Sequence, residues 1–378
     1  MQPVEDRLVE IFREAGIDTI IALPCDRVKW LLKRIADQGN YVPVTREEEG
    51  VGIAAGVALA GGRAAVIIQS SGYGNMINAV LSLSQFYKLP LPIFISHRGI
   101  YREKIEAQKP MGLALKGLLK ASGVGYTVLQ YPEDLKKIQR PLYRVFKEGR
   151  VHAFLLSPRL WEGCEAGSYS LNQRVFETIV CPEKDKRKKI KAELTRFEVM
   201  QNLKDFLKGE VVICNLGIPS KELYHVIDQP TNFYMLGSMG LVSSIGLGVS
   251  LKTKRRVYVI DGDGSLLMNA GTLATISLLK PQNLTLLIID NGVYGSTGGQ
   301  PTHSFSVVDL GLVAQGFGLK KVYTISRASE LKEILRKKNT RGPRIIHIIA
   351  RPGNASVGNI PLSAEQIRDR FISSLREG

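Results

Sequence analysis

The chain has 378 residues, 44% hydrophobic and 23% charged, enough for two globular domains that each bury a core. No apolar run approaches the roughly 18 residues of a membrane span, no secretory leader is expected at the start, and Cys25, Cys164, Cys181 and Cys214 are too dispersed for a metal or iron–sulfur site. Free thiols and a cytoplasmic location are therefore expected. The net charge of +16, from 51 basic and 35 acidic residues, is spread without a basic–aromatic ribbon or zinc-finger spacing, so small anions rather than nucleic acid or membrane are the expected partners.

In chain order, the first half alternates strand and helix. Glu5–Ala15 reads as an amphipathic helix and Thr19–Leu23 as a strand running into Pro24-Cys25-Asp26. A helix over Arg27–Asp37 and a strand over Tyr41–Val44 follow, with Thr45 as the expected cap of a helix over Arg46–Ala60. Ala64–Gln69 is a buried-type strand ending in Ser70-Ser71-Gly72-Tyr73-Gly74-Asn75, and a helix is predicted from there to about Tyr87. Strands at Pro92–Ser96, Tyr126–Gln130 and Ala153–Leu156 complete this half. Gly, Ser, Pro and a lysine-rich run (KDKRKKIK, 184–191) break the rhythm between Trp161 and Lys191, as a solvated link does. The capping-box pattern Thr195-Arg196-Phe197-Glu198 restarts it. Strands are then predicted at Val211–Asn215, Phe233–Met235, Val257–Ile260, Leu284–Ile289, Lys321–Tyr323 and Ile345–Ile349. The fold class is α/β: two doubly wound, mostly parallel sheets.

Chemistry concentrates where two of these strands end. Val257–Ile260 runs into Asp261-Gly262-Asp263-Gly264-Ser265, and Leu284–Ile289 into Asp290-Asn291-Gly292-Val293-Tyr294. Both clusters follow carboxyl ends of strands in a βαβ unit, where open α/β sheets hold ligands. A lone GDG is usually a turn. With a second polar turn after the next strand, Asp263, Asn291 and the Val293 carbonyl offer three hard oxygens to a divalent cation such as Mg²⁺, leaving positions for phosphate oxygens. A second cluster, Glu47-Glu48-Glu49, stands in a first helical turn, where carboxylates favour the helix dipole, ahead of the small residues Gly50 to Gly56.

GDG, 25 residues, then Asp290-Asn291 resembles the diphosphate-binding motif of thiamine diphosphate enzymes, usually GDG…NN; Asp290 stands for the first Asn. The resemblance implies thiamine diphosphate held through Mg²⁺ on Asp263, Asn291 and Val293, with Gly262, Gly264, Ser265 and Tyr294 around it. It also implies a glutamate facing N1′ of the aminopyrimidine, where it promotes loss of the C2 proton. Counting back nine positions from Gly56 selects Glu47; Glu48 is the choice if the register slips by one. Gly237-Ser238-Met239-Gly240 resembles the segment that bends the cofactor, with the Gly237 carbonyl on the 4′-amino group and Met239 as buttress. Met239 read alone is an ordinary core methionine. The implied organisation is a pyrimidine-binding domain over 1–162, a linker over 163–192 and a diphosphate-binding domain over 193–378.

The absence of a middle domain resembles the sulfopyruvate and phosphonopyruvate decarboxylase branch of the thiamine diphosphate-dependent 2-oxoacid decarboxylases. It implies nonoxidative decarboxylation, with 3-sulfopyruvate ahead of phosphonopyruvate. Ile95-Ser96-His97-Arg98-Gly99 and Gln108–Gly112 are closer to the sulfopyruvate form. Candidate substrate residues are Ser71, Asn75, His97, Arg98 and Lys104; Arg98 reads equally well as a partner of Glu103 or Glu106. Cys25 reads as a buried small residue or a functional thiol. The resemblance further implies a homodimer or homotetramer, with Glu47 of one subunit meeting the metal motif of another. The alternative class is a non-catalytic ligand- or nucleic-acid-binding protein.

Overall fold

The structure, a computed structural model, describes residues 3–162, 190–337 and 342–376. In the first half the strands are β1 (Thr19–Ala22), β2 (Tyr41–Pro43), β3 (Ala64–Gln69), β4 (Leu91–Ser96), β5 (Gly125–Leu129) and β6 (Val151–Leu156). Their helices are α1 (Val4–Glu14), α2 (Lys29–Asp37), α3 (Glu47–Leu59), α4 (Ser70–Ala79), α5 (Lys109–Ala121) and α6 (Gln139–Glu148). The strands form one parallel sheet in the order β2-β1-β3-β4-β6-β5. Runs such as Ala65 to Ile68 are buried on both faces, which is why they read as continuous apolar stretches rather than alternating ones.

The second half repeats the plan. It comprises α7 (Arg196–Leu207), β7 (Val211–Cys214), α8 (Ile218–Val226), β8 (Asn232–Tyr234), α9 (Val242–Ser250), β9 (Val257–Gly262), α10 (Asp263–Met268), α11 (Thr272–Leu279) and β10 (Leu284–Asp290). A small hairpin of β11 (Val293–Tyr294) and β12 (Gln300–Pro301) precedes α12 (Leu310–Gly316), β13 (Val322–Ile325), α13 (Ala328–Arg336), β14 (Arg344–Ile349) and α14 (Ala364–Arg376). The sheet order, β8-β7-β9-β10-β14-β13 read from one edge, matches that of the first sheet strand for strand. The two halves therefore share one topology, although their sequences carry no recognisable repeat.

What joins them is a pair of helices with no polar face. In α9 every residue is buried, and in α3 all but two; a helix apolar all round belongs between two bodies rather than on one surface. Glycines let the pair approach closely. A Cβ on Gly52 would lie 2.0 Å from Ser244 Oγ, one on Gly56 2.1 Å from the Ile245 carbonyl, and one on Gly248 2.1 Å from the Ile53 carbonyl. One core consequently runs from the first sheet through α3 and α9 into the second. A separate cluster fills the outer face of the first sheet. The Tyr87 hydroxyl ties the seam, donating to the Tyr234 carbonyl (2.9 Å) and accepting from Leu236 N–H (2.8 Å).

Three local expectations change. The segment from Arg27 begins as a 3₁₀ turn, Asp26–Val28, before α2. Thr45 does not cap: Arg46 occupies the N-cap without a side-chain bond, and Thr45 instead donates through N–H and Oγ1 to Glu49 Oε2, both at 2.8 Å. Helix α4 does not run as α-helix to Tyr87 but widens into a π-helix over Val80–Gln85. Most of the link, with Cys164 and Cys181, lies outside the described residues.

Candidate functional site

The order of the second sheet reverses between β7 and β9, and the crevice beyond their carboxyl ends is the expected ligand position in such a sheet. An open cleft lies there. Gly262, Asp263, Gly264, Ser265, Asn291, Val293, Tyr294 and Met239 line it, so the structure brings these expected residues together. Arg196 and Asn215 line it too, and the sequence analysis had assigned neither to a site.

Two buried carboxylates, Asp261 and Asp263, line the crevice, and a third, Asp290, is joined to Asp263 through Ser304. Asp261 accepts from Gly262 N–H and Ser243 Oγ, each at 2.8 Å, and burial pushes its pKa up to about 6. Asp263 begins α10 and accepts from the hydroxyls of Thr302 and Ser304; burial and then the nearby charge of Asp290 raise it, against those hydroxyl bonds. Asp290 ends β10, accepting from Ser304 Oγ (2.7 Å) and Gly292 N–H (3.1 Å) and pairing with His347 Nε2 at 2.8 Å. The aspartate that departs from the GDG…NN pattern thus has its own base, and a lone histidine in the apolar run Ile345–Ile349 was its signal in the sequence. Clustered buried carboxylates call for a cation.

The donor set fits a small divalent ion. One end of the Asn291 carboxamide lies 3.0 Å from the Val293 carbonyl oxygen. Adjacent ligands of an octahedral Mg²⁺ at about 2.1 Å stand about 3.0 Å apart. Among the described residues no cluster of three or more His, Cys, Asp and Glu side chains has metal-site geometry. The set here is one carboxylate, one amide and one carbonyl. Tyr294 closes the wall so tightly that a Cβ on Gly264 would lie 2.3 Å from its ring.

Gly237-Ser238-Met239-Gly240 lies at the seam between the halves. Ser238 is held in the left-handed region (φ +60°), its hydroxyl 2.6 Å from that of Ser82 in the first half, and Gly240 (φ +91°) donates to Ser265 Oγ at 3.2 Å. A non-glycine residue in this region costs on the order of 1–2 kcal/mol, strain of the kind stored at functional sites.

Across the seam, α3 begins with Glu47. It is buried, and its Oε2 accepts from Asn75 Nδ2 at 2.9 Å. Gly72 packs so closely that a Cβ there would lie 2.6 Å from Glu47 Oε1. Glu48 is half-buried, paired with Arg46 at 3.0 Å, and raised mainly by burial. Thr45, two residues before Glu47, packs on Gly271 just beyond α10. The glycine-lined crossing of α3 and α9 is made in cis.

None of the expected substrate residues lines the cleft, and neither does Glu47. Arg98 is engaged by Glu103, Nε to Oε2 at 2.6 Å and Nη2 to Oε1 at 2.7 Å, the partner left open in the sequence. This pair holds Glu103 down to about 2. His97 is buried with Nε2 3.0 Å from the Gly112 carbonyl, and burial lowers its pKa. Ser71 Oγ accepts from Gln69 Nε2, Asn75 serves Glu47, and Lys104 is exposed. Cys25 is buried, its Sγ 3.6 Å from Ser96 Oγ.

Residues 3–115 match the family described as thiamine pyrophosphate enzyme, N-terminal TPP binding domain, and residues 215–348 the family described as thiamine pyrophosphate enzyme, C-terminal TPP binding domain. The chain is 41% identical over 377 residues to a sulfopyruvate decarboxylase of Methanosarcina acetivorans, covering 98% of this chain and 97% of that one. It is 33% identical over 370 residues to a phosphonopyruvate decarboxylase of Streptomyces viridochromogenes, covering 94% and 91%. A sulfopyruvate decarboxylase subunit beta of Methanothermobacter thermautotrophicus is 45% identical over 183 residues, which is 48% of this chain and 96% of that subunit. In fold it is similar to benzoylformate decarboxylase from Polynucleobacter necessarius, with a TM-score of 0.72 at 15% identity, covering 94% of this chain and 100% of that one.

Proposed function

The chain belongs to the thiamine pyrophosphate-dependent decarboxylases, and from that membership we propose that it converts 3-sulfopyruvate and a proton to sulfoacetaldehyde and CO₂, in coenzyme M biosynthesis. The observation that carries the substrate is the end-to-end likeness to the Methanosarcina sulfopyruvate decarboxylase. Phosphonopyruvate is the second reading, on the weaker likeness to the Streptomyces enzyme.

Thiamine pyrophosphate, when bound, supplies the electron-accepting centre that takes the bond pair left by departing CO₂. In our reading the second domain (193–378) holds its diphosphate through Mg²⁺ on Asp263, Asn291 and the Val293 carbonyl. The first domain (1–162) presents Glu47 to N1′ of the pyrimidine. Asn75 holds Glu47 Oε2, and Oε1 would be the oxygen that shares the proton with that nitrogen. Gly237 and Met239 seat the pyrimidine at the seam, and the strained Ser238 keeps them there. Burial of Glu47 keeps bulk water from the proton it handles.

We place the enzyme in the cytoplasm, on the buried free thiols of Cys25 and Cys214. No described helix is long and apolar enough to cross a membrane. A homodimer, or a dimer of dimers, is supported by apolar side chains exposed along the seam, Leu81, Phe86 and Leu236 among them. Sedimentation is expected to give a multiple of the 41.7 kDa chain.

The activity test is incubation with thiamine pyrophosphate and Mg²⁺ and, separately, sulfopyruvate, phosphonopyruvate and pyruvate, following CO₂ and aldehyde. Fastest release from sulfopyruvate is expected. Fastest release from phosphonopyruvate would transfer the assignment to the second reading.

A further inference from the structure

Arg196 begins α7, and its place in the sequence is that of a helix-terminal residue in a capping box. Its side chain is nonetheless buried and aimed at the cleft. Nε donates to Glu222 Oε2 at 2.7 Å, and Nη2 donates to Glu222 Oε1 at 3.0 Å and Asn354 Oδ1 at 2.9 Å. Asn354 in turn donates to the Gly295 carbonyl at 2.7 Å, so the guanidinium is braced against the loop that carries Asn291 and Val293. Nη1 points instead at the Asn291 carboxamide, 3.3 Å away. A guanidinium braced through two of its nitrogens keeps the third pre-organised.

The two ends of an amide are told apart by their partners. With nitrogen toward Val293, the Asn291 amide donates to the Val293 carbonyl and accepts from Arg196 Nη1, closing on itself the two oxygens expected for the metal. With oxygen toward Val293, those two oxygens stand side by side and the amide also accepts from Val293 N–H at 3.3 Å. That orientation leaves Asn291 Nδ2 and Arg196 Nη1, both donors, facing each other. Two convergent donors are relieved by an acceptor, and an anionic oxygen is the strongest.

We propose that Arg196 is a cofactor-binding and positioning residue: when a divalent cation takes the oxygen end of Asn291, Arg196 Nη1 and Asn291 Nδ2 together donate to a phosphate oxygen of the diphosphate. One amide thereby couples the two ligands, the cation selecting one end and the anion the other. By linkage each ligand raises the affinity of the other by the same factor. The inference rests on the cofactor assignment made above.

The test compares wild type with Arg196→Met/Glu222→Gln, which removes the guanidinium without leaving a buried carboxylate unpaired. Mn²⁺ binding is followed by electron paramagnetic resonance and thiamine pyrophosphate binding by equilibrium dialysis, each with and without the other ligand. Wild type is expected to bind each far more tightly in the presence of the other. The double variant is expected to bind thiamine pyrophosphate about 10- to 100-fold more weakly in saturating Mn²⁺, while Mn²⁺ alone binds as well or better. Arg196→Lys keeps a charge opposite Glu222 but lacks the spare nitrogen. It decides the matter if the double variant does not fold, and a loss of at least about tenfold is expected. A folded variant with wild-type affinity and undiminished coupling overturns the role of Arg196 alone. Wild type that binds no thiamine pyrophosphate with metal present overturns the cofactor assignment itself.

Discussion

Glu47 and Glu48 are adjacent acids of one helical turn, and spacing alone selects between them by counting from Gly56. Packing separates them physically: Glu47 lies under Gly72 and bonded to Asn75, Glu48 at the margin beside Arg46. Glu47→Gln is expected to bind thiamine pyrophosphate within a few-fold of wild type while losing about 10²- to 10⁴-fold in the exchange rate of its C2 proton. Nuclear magnetic resonance in D₂O reads this directly; unchanged exchange, with loss in Glu48→Gln, would reassign the role. Arg98 and Glu103 make a second residue-scale case. Held at about 2, Glu103 is protonated more readily in the unfolded chain, so the ion pair stabilises fully above about pH 4.5 and its contribution disappears as pH falls through about 2. Glu103→Gln is expected to cost about 1–3 kcal/mol at pH 7. Denaturation midpoints measured from pH 7 to pH 2.5 should show most of the gap to wild type closing at the acid end, and a gap that stays constant would exclude the pairing.

At the scale of elements, the decisive contact is α3 against α9. Both sequences are rich in small residues, Gly and Ala in α3 and Gly and Ser in α9, and lack a polar stripe, which marks them as buried on all sides. Which helix meets which is not written in either alone. Gly56→Ala would place a methyl 2.1 Å from the Ile245 carbonyl and 2.8 Å from Val249 N, backbone atoms that cannot step aside. A loss of about 1–3 kcal/mol or more is expected, with thiamine pyrophosphate binding impaired and helical content retained. Gly117→Ala on α5 is the control, since nothing lies within 4 Å of its Cβ. There the gain in helix propensity is expected to stabilise by about 0.5–1 kcal/mol. Paired thermal melts of the two variants should move in opposite directions.

For the whole molecule, the link matters less than the seam. The Lys252–Asp18 ion pair (2.7 Å), the Tyr87 bonds and the α3–α9 crossing all join the halves without it. Relatives named as separate subunits span about half of this chain each, or less. Residues 1–162 and 190–378, co-expressed as two chains, are therefore expected to co-purify and to retain thiamine pyrophosphate binding within about tenfold of the intact protein. Co-purification is the readout. Pieces that fold yet separate on a sizing column would show that the seam depends on the covalent link.

Local chemistry sufficed for the parts that depend on short stretches of chain. The strand–helix rhythm, the Asp263 and Asn291 turns at two strand ends and the apolar character of α3 and α9 are all properties of neighbouring residues, and they are legible without a structure. The exact strand order, the pairing of Asp290 with His347, the capture of Arg98 by Glu103 and the turn of Arg196 into the cleft were decided only by the tertiary structure. Each depends on side chains brought together by packing. Arg98 and Glu103 are near in sequence, but whether the guanidinium serves a substrate or a neighbour depends on the burial around both. Arg196 and Asn291 stand at the ends of a helix and a strand almost a hundred residues apart, and no local propensity encodes the distance at which a folded sheet sets such ends.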